Sequence, residues 1–211
     1  MRTMKVCSFF AKEAACFFVC KKTFYHKNLS KKEMEMKKNV VKLVYSAVCI
    51  ALAMVLPLLT AQIPQIGKAL NPMHIPVLLC GFLCGWPWGL VVGAISPVLR
   101  SFIFGMPALF PDACAMAFEL AAYGFLSGLL YKLFPKKTGY IYCTLILSMI
   151  GGRIVWGVAR FVFSKIAGAQ FSFAMFLAGG FTNAIPGIIL HIVLIPLIVI
   201  ALKKAKLVLN D

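Results

Sequence analysis

Charge is what this sequence has least of. Only 13% of its 211 residues are charged and only six are acidic, against about 25% charged in an ordinary soluble domain. Hydrophobic residues make up 62%, where soluble chains run to about 45–50% apolar. That balance excludes a soluble globular fold. Reactive motifs are missing as well. There is no G-x-x-x-x-G-K-[ST] loop, which excludes ATP hydrolysis by that route. No H-E-x-x-H, G-x-S-x-G or paired carboxylates fall within an apolar segment, so the nucleophile or metal set of a membrane enzyme is absent. No inverted repeat of broken apolar segments stands out, as it does in many secondary carriers. Cys80 and Cys84 share a helix face at i, i+4, but no His, Asp or further Cys nearby completes a metal set. No metal and no cofactor are expected.

What the chain has instead is length of apolar run. Five regions stand out, roughly 40–60, 74–104, 111–132, 139–163 and 174–202. Several approach the ~20 residues that cross a ~30 Å hydrocarbon core. Backbone polar groups in lipid must be satisfied within each segment, which makes these helices and the protein an all-α polytopic membrane protein. Of the eight cysteines, Cys49, Cys80, Cys84, Cys114 and Cys143 fall in expected spans, while Cys7, Cys16 and Cys20 precede the first. They read as small hydrophobes kept reduced, not as a disulfide framework. Residues 1–35 fit neither a signal peptide nor a span, because Lys12 and Glu13 interrupt CSFFAKEAACFFVC and no small-residue cleavage site follows. The run MKKNVVKLVYSAVC from Met36 reads like a natural start. Residues 1–35 are therefore expected to be a disordered basic extension or to come from a start codon called too early. Residues 36–205 are then the membrane domain and 206–211 a cytoplasmic tail.

The net charge of +16 would suit nucleic acid, but its placement does not. Eleven Lys and Arg precede residue 43, three lie in KLFPKK (132–137) and three in KKAK (203–206). Basic patches flanking apolar segments mark cytoplasmic loops under the positive-inside rule, with anionic lipid as a further attraction. No folded soluble face is left to carry a nucleic-acid site. The same patches fix the number of crossings. The 31 residues of 74–104 would make a helix of roughly 46 Å, too long for one crossing and short for two. With a single crossing, 132–137 and 203–206 fall outside. With two, turning at GWPWG (85–89), every basic patch falls inside. Six transmembrane helices with both termini cytoplasmic follow.

That count makes sense of NPMHIPVLLCGFLCGWPWG (71–89), which is too broken for mid-membrane and too apolar for a loop. Residues 61–73 become an outer loop, and Pro76 sits in the first turn of a short helix, where its missing N–H does no harm. GWPWG becomes a tight cytoplasmic turn with Trp86 and Trp88 at the interface. GMPALFP (105–111) and SKIAGAQFSF (164–173) are the other outer connections.

Ionisable groups inside spans cost roughly 2.5–3.5 kcal/mol each on insertion scales and usually face a partner or a cavity. Asp112, Met116, Glu119 and Tyr123 fall on one helix face at i, i+4, i+7, i+11, and Arg153, Trp156 and Arg160 on another at i, i+3, i+7. With Arg100 and Asn183 they suggest a polar pocket open to the outside, with one aromatic wall. A second reading stands beside this one. Glu119 would pair with an arginine and lock the bundle, Arg153 would bind backbone carbonyls, Arg100 and Arg160 would snorkel, and Asp112 would cap a helix after Pro111. His191 is expected deep on the inner side, packed in the bundle. Arginines outnumber acids in the pocket, which suits a ligand carboxylate. In the first span Ala47 and Ala51, with Ser46 and Ala53 beside them, form a smooth face for another helix.

Over about residues 37–205 the chain resembles the substrate-binding (S) components of energy-coupling factor (ECF) vitamin transporters. The likeness rests on six spans with both ends inside, on Ala47 and Ala51, and on HIPVLLCGFLCGWPWGLVVGAISPVLRS through FELAAYGFLSGLLY. It implies a non-enzymatic, high-affinity binding subunit in a prokaryotic plasma membrane, loading a vitamin or related molecule. Its partners would be a transmembrane coupling component, which Ala47 and Ala51 would contact, and two cytoplasmic ATPases. Glu119, Arg153, Trp156 and Asn183 are expected to line the site. Arg100, Arg160 and the 61–75 loop with His74 would lie near its mouth. A carboxylate vitamin such as pantothenate, nicotinate or a folate is the favoured ligand class. The alternative is a stand-alone proton-coupled secondary transporter with Glu119 as the proton carrier.

Overall fold

The computed structural model describes residues 33–58, 70–135, 137–168, 172–180, 182–205 and 207–210. The extension expected over 1–35, with Cys7, Cys16 and Cys20, lies outside the described residues up to residue 32, as does most of the 61–73 loop. The chain divides into two units, one ending at Val41 and one beginning at Lys42. In the first, residues 33–41 are helical and exposed. The second holds a helix bundle.

Seven α-helices are described: α1 Glu33–Leu58, α2 His74–Cys84, α3 Trp86–Phe104, α4 Cys114–Leu133, α5 Thr138–Ile166, α6 Phe173–Gly180 and α7 Ile185–Lys204. A π-turn, Leu109–Ala113, leads into α4, and a 3₁₀ turn, Thr182–Ala184, leads into α7. No strand occurs among the described residues. Among the described residues, five stretches are long and apolar enough to cross a membrane: α1, α3, Leu109–Leu133, α5 and α7. The region expected to cross twice, 74–104, is split between α3 and the 11-residue α2, which at ~1.5 Å per residue reaches about 16 Å. Every residue of α2 is buried. A helix apolar all round belongs in a core, and α2 is wrapped by its neighbours on all sides.

Two breaks differ from the sequence expectation. The turn foreseen over 85–89 contracts to Gly85 alone. Its φ of 96° and ψ of 173° lie where a side chain is disfavoured, and its N–H closes α2 on the Gly81 carbonyl at 3.0 Å. Trp86 already opens α3, with Pro87 in the first turn, where proline is favoured. The region 174–202, expected as one helix, is two. Gly179 and Gly180 are poor helix formers, and Pro186 starts α7 anew from its first turn.

α4 is the centre of the bundle, packing on α2, α3 and α5. Its approach to α3 depends on glycine. A Cβ on Gly124 would overlap the backbone of Gly89, and one on Gly93 would overlap the backbone at Leu120. Backbones meeting this closely are how helices associate where lipid removes the hydrophobic drive. At one end of the bundle, Cys84 Sγ lies 3.7 Å from the Lys42 carbonyl. There too the Leu209 N–H reaches the Leu83 carbonyl at 2.9 Å and Asn210 Nδ2 donates to the Gly128 carbonyl at 3.1 Å. Lys42, Lys132, Lys203 and Lys204 therefore cluster at this end, and 207–210, expected as a tail, lies against it.

The surface inverts a soluble protein. Ile189, Val193, Leu197, Ile154 and Val158 on α7 and α5 are exposed, while Ser96, Ser127, Ser148, Glu119, Arg153 and His191 are buried. Apolar exterior and polar interior suit lipid as the solvent.

Candidate functional site

The polar interior converges on one carboxylate. Glu119, in the second turn of α4, presents Oε1 to three groups. Arg153 Nη1 of α5 lies at 3.0 Å, the Tyr123 hydroxyl, one turn further along α4, donates at 3.2 Å, and His74 Nε2 lies at 3.4 Å. His74 heads α2, where its Nδ1 donates to the Asn71 carbonyl at 3.1 Å. Its ring meets Tyr123 edge-on with centroids 5.0 Å apart and stacks on His191 of α7 at 5.8 Å and 25°. Four helices thus contribute to one buried cluster. Within it, Arg153 Nε and His191 Nε2 make no hydrogen bond, and the same holds for the buried Thr144 Oγ1 lower on α5.

The spacing of charges along Leu109–Leu133 and α5 is explained by a ladder. Glu119 pairs with Arg153, and Asp112, seven residues before Glu119, pairs with Arg160, seven after Arg153. Seven residues are about two turns, so antiparallel neighbours place both pairs on one seam. The sequence reading of both faces as the lining of a single pocket is thereby refined, since each acid has its own arginine. Trp156, between the rungs on α5, stacks on Phe176 of α6 at 6.2 Å and 26°. Phe176 also lines an open apolar groove of ≈ 500 Å³ with Ile154, Val158, Phe161 and Phe173.

Among the other expected residues, Arg100 is buried apart from the cluster. Its Nη1 donates to the Met54 carbonyl at 3.4 Å, and its guanidinium lies over Phe104. Asn183 falls in the 3₁₀ turn, and its side chain lies outside the described residues. Ala47 and Ala51 are exposed on α1, while Ser46, Cys49 and Ala53 face inward. Cys49, Cys80, Cys84, Cys114 and Cys143 are free thiols.

His191, expected to pack within the bundle, is buried there and stacks on His74, a pairing that spacing along the chain does not show. Tyr123 shares a face with Glu119 in the sequence, and the structure adds that it donates to that carboxylate. A histidine within an apolar span was itself the available signal, since such residues default to a partner or a site.

The profile of a family described as ECF transporter, substrate-specific component, matches residues 41–199. Comparison with curated proteins and with solved structures finds no match.

Proposed function

The chain belongs to the family of substrate-specific components of ECF transporters, a transporter family and not an enzyme family, and from that premise we propose how this multi-pass membrane protein works. It is the solute-binding subunit of an ATP-driven importer and takes a vitamin or related small molecule from outside the cell. A transmembrane coupling component and two ATPases supply the energy. The basic end faces the cytoplasm of a prokaryotic cell, with both termini there. α2 provides the sixth crossing, within a membrane domain spanning 36–205.

The buried cluster around Glu119 carries the reading. A bundle this apolar has no need of one acid, one arginine and two histidines at its centre unless they meet something polar. Glu119, Arg153 and His74 form the floor of the proposed site and Trp156 its wall. Asn183 is a further residue of its lining, and Arg160 and Arg100 belong to its mouth. Ala47 and Ala51, on the outward face of α1, offer a smooth surface to the coupling component.

Vesicles containing this chain alone are expected to bind solute without accumulating it, and accumulation begins only when the coupling component and ATPases are added. Accumulation by the chain alone would replace the proposal with a stand-alone carrier. Ala47→Leu with Ala51→Leu should abolish uptake by the assembled importer and leave binding intact; lost binding would remove the docking role. Labelling from outside the cell of a cysteine placed at Lys137 would invert the orientation.

A further inference from the structure

The cluster holds polar atoms that it does not pair. Glu119 meets Arg153 through Nη1, so the edge of the guanidinium plane that carries Nε is turned to something else, and Nε has no partner. An arginine Nε–H can only donate. The side chain is 7% exposed, so water outside the bundle does not supply the acceptor. His191, 2% exposed, leaves Nε2 unpartnered in the same cluster. Buried polar groups in folded proteins are nearly always paired, and an orphan calls for an explanation.

The neighbouring groups do not meet that need. The one carboxylate of the cluster is already shared by Arg153, Tyr123 and His74, and the ring nitrogens of His74 face the Asn71 carbonyl and Glu119 Oε1. One turn along α5 from Arg153, Trp156 stacks on Phe176 and offers an aromatic surface on the same helix.

We propose that Arg153 Nε and His191 Nε2 together seat the carboxylate of a small organic acid whose apolar or ring portion lies along Trp156. The inference rests on the solute-binding reading above and names the solute's class. The Nε edge of a guanidinium takes a carboxylate through parallel N–H bonds, and the imidazole supplies a further contact. Glu119 is then a positioning residue, holding Arg153 by its other nitrogen so that the Nε edge stays aimed at the ligand.

The test begins with the molecule that stays with the gently purified full chain in lipid nanodiscs, identified by mass spectrometry after release. The released molecule is expected to carry a carboxyl group. On the unaltered chain its amide should rebind at least a hundredfold more weakly than the acid. Arg153→Lys keeps a cation opposite Glu119 but lacks the Nε edge, and His191→Phe keeps a ring stacked on His74 without Nε2. Each should weaken rebinding at least tenfold while Cys143→Ala, on the exposed face of α5, changes nothing. The amide comparison needs no variant, so a misfolded mutant cannot mask the answer. A ligand without a carboxyl group, an amide that binds like the acid, or unchanged affinity in both variants overturns the inference. Uptake by the assembled importer would still leave the functional reading standing. A chain that releases nothing and gives no uptake with its partners overturns both.

Discussion

The two rungs between α4 and α5 are built from the same chemistry and placed in different surroundings. Asp112 and Arg160 are 43% and 25% exposed, Glu119 and Arg153 only 2% and 7%. A half-exposed pair exchanges water for a partner and gains little, commonly under ~1 kcal/mol. A buried pair has lost its water altogether, and its attraction has to offset the several kcal/mol of desolvation carried by each ion. The outer rung therefore holds two helix ends together cheaply. The inner rung is tolerable only because Tyr123 and His74 share the load on Oε1. Depth, and not residue type, separates an ordinary helix clasp from a buried polar cluster.

Removing one partner of the inner rung breaks the comparison most violently. Glu119→Ala leaves Arg153 buried without its carboxylate, a change that costs about 3–5 kcal/mol in such pairs. Unfolding measured in nanodiscs should show that loss, while Asp112→Ala at the outer rung should not. A loss of similar size at both positions would mean that the difference in burial has no energetic consequence.

Replacing both partners of the inner rung sharpens the contrast. Glu119→Leu with Arg153→Met fills the space with apolar side chains, and such exchanges are often neutral or stabilising by about 1–4 kcal/mol. Stability should recover to near that of the unaltered chain, whereas solute binding should stay lost. If binding returned with stability, the cluster would be no more than a lock for the bundle.

How far the sequence revealed this depends on what spacing can report. The intervals 112–119 and 153–160 showed which residues share a face, and the basic KLFPKK connection between the two spans made them antiparallel neighbours. Spacing does not say which face meets which, so two separate ion pairs were read as the lining of one pocket. His74 and His191 are far apart along the chain, and no local pattern brings them together. The α6–α7 break had its signals in Gly179, Gly180 and Pro186, but they were outweighed by a long apolar run. The small residues Ala47 and Ala51 lie on a face of α1 that this chain leaves exposed. Gly89, Gly93, Gly124 and Gly128 hold the same four-residue interval and mark the tightest seam in the bundle. A stripe of small residues announces close approach without saying whether the partner is another helix of the same chain.

A smaller effect is expected when only the charge of the outer rung is removed. Asp112→Asn keeps the shape and loses the ion pair, so stability should fall by about 0–1 kcal/mol. Solute affinity should change little unless Arg160, released from Asp112, turns inward. A tenfold gain in affinity for an anionic solute in Asp112→Asn would show that Asp112 normally holds that arginine away from the site.

The smallest difference should appear with salt, and it tests depth most directly because nothing is mutated to create it. Raising ionic strength from about 0.1 M to 1 M shortens the screening length from ~10 Å to ~3 Å. Ions can reach the outer rung, whose carboxylate is 43% exposed, and cannot reach the inner one. The stability gap between Asp112→Asn and the unaltered chain should therefore shrink with salt, while the gap for Glu119→Ala stays constant. Parallel salt dependence in both variants would show that water and ions enter as far as Glu119. The cluster would then stand open to water before any solute arrives, and the solute-free protein would not be closed over it.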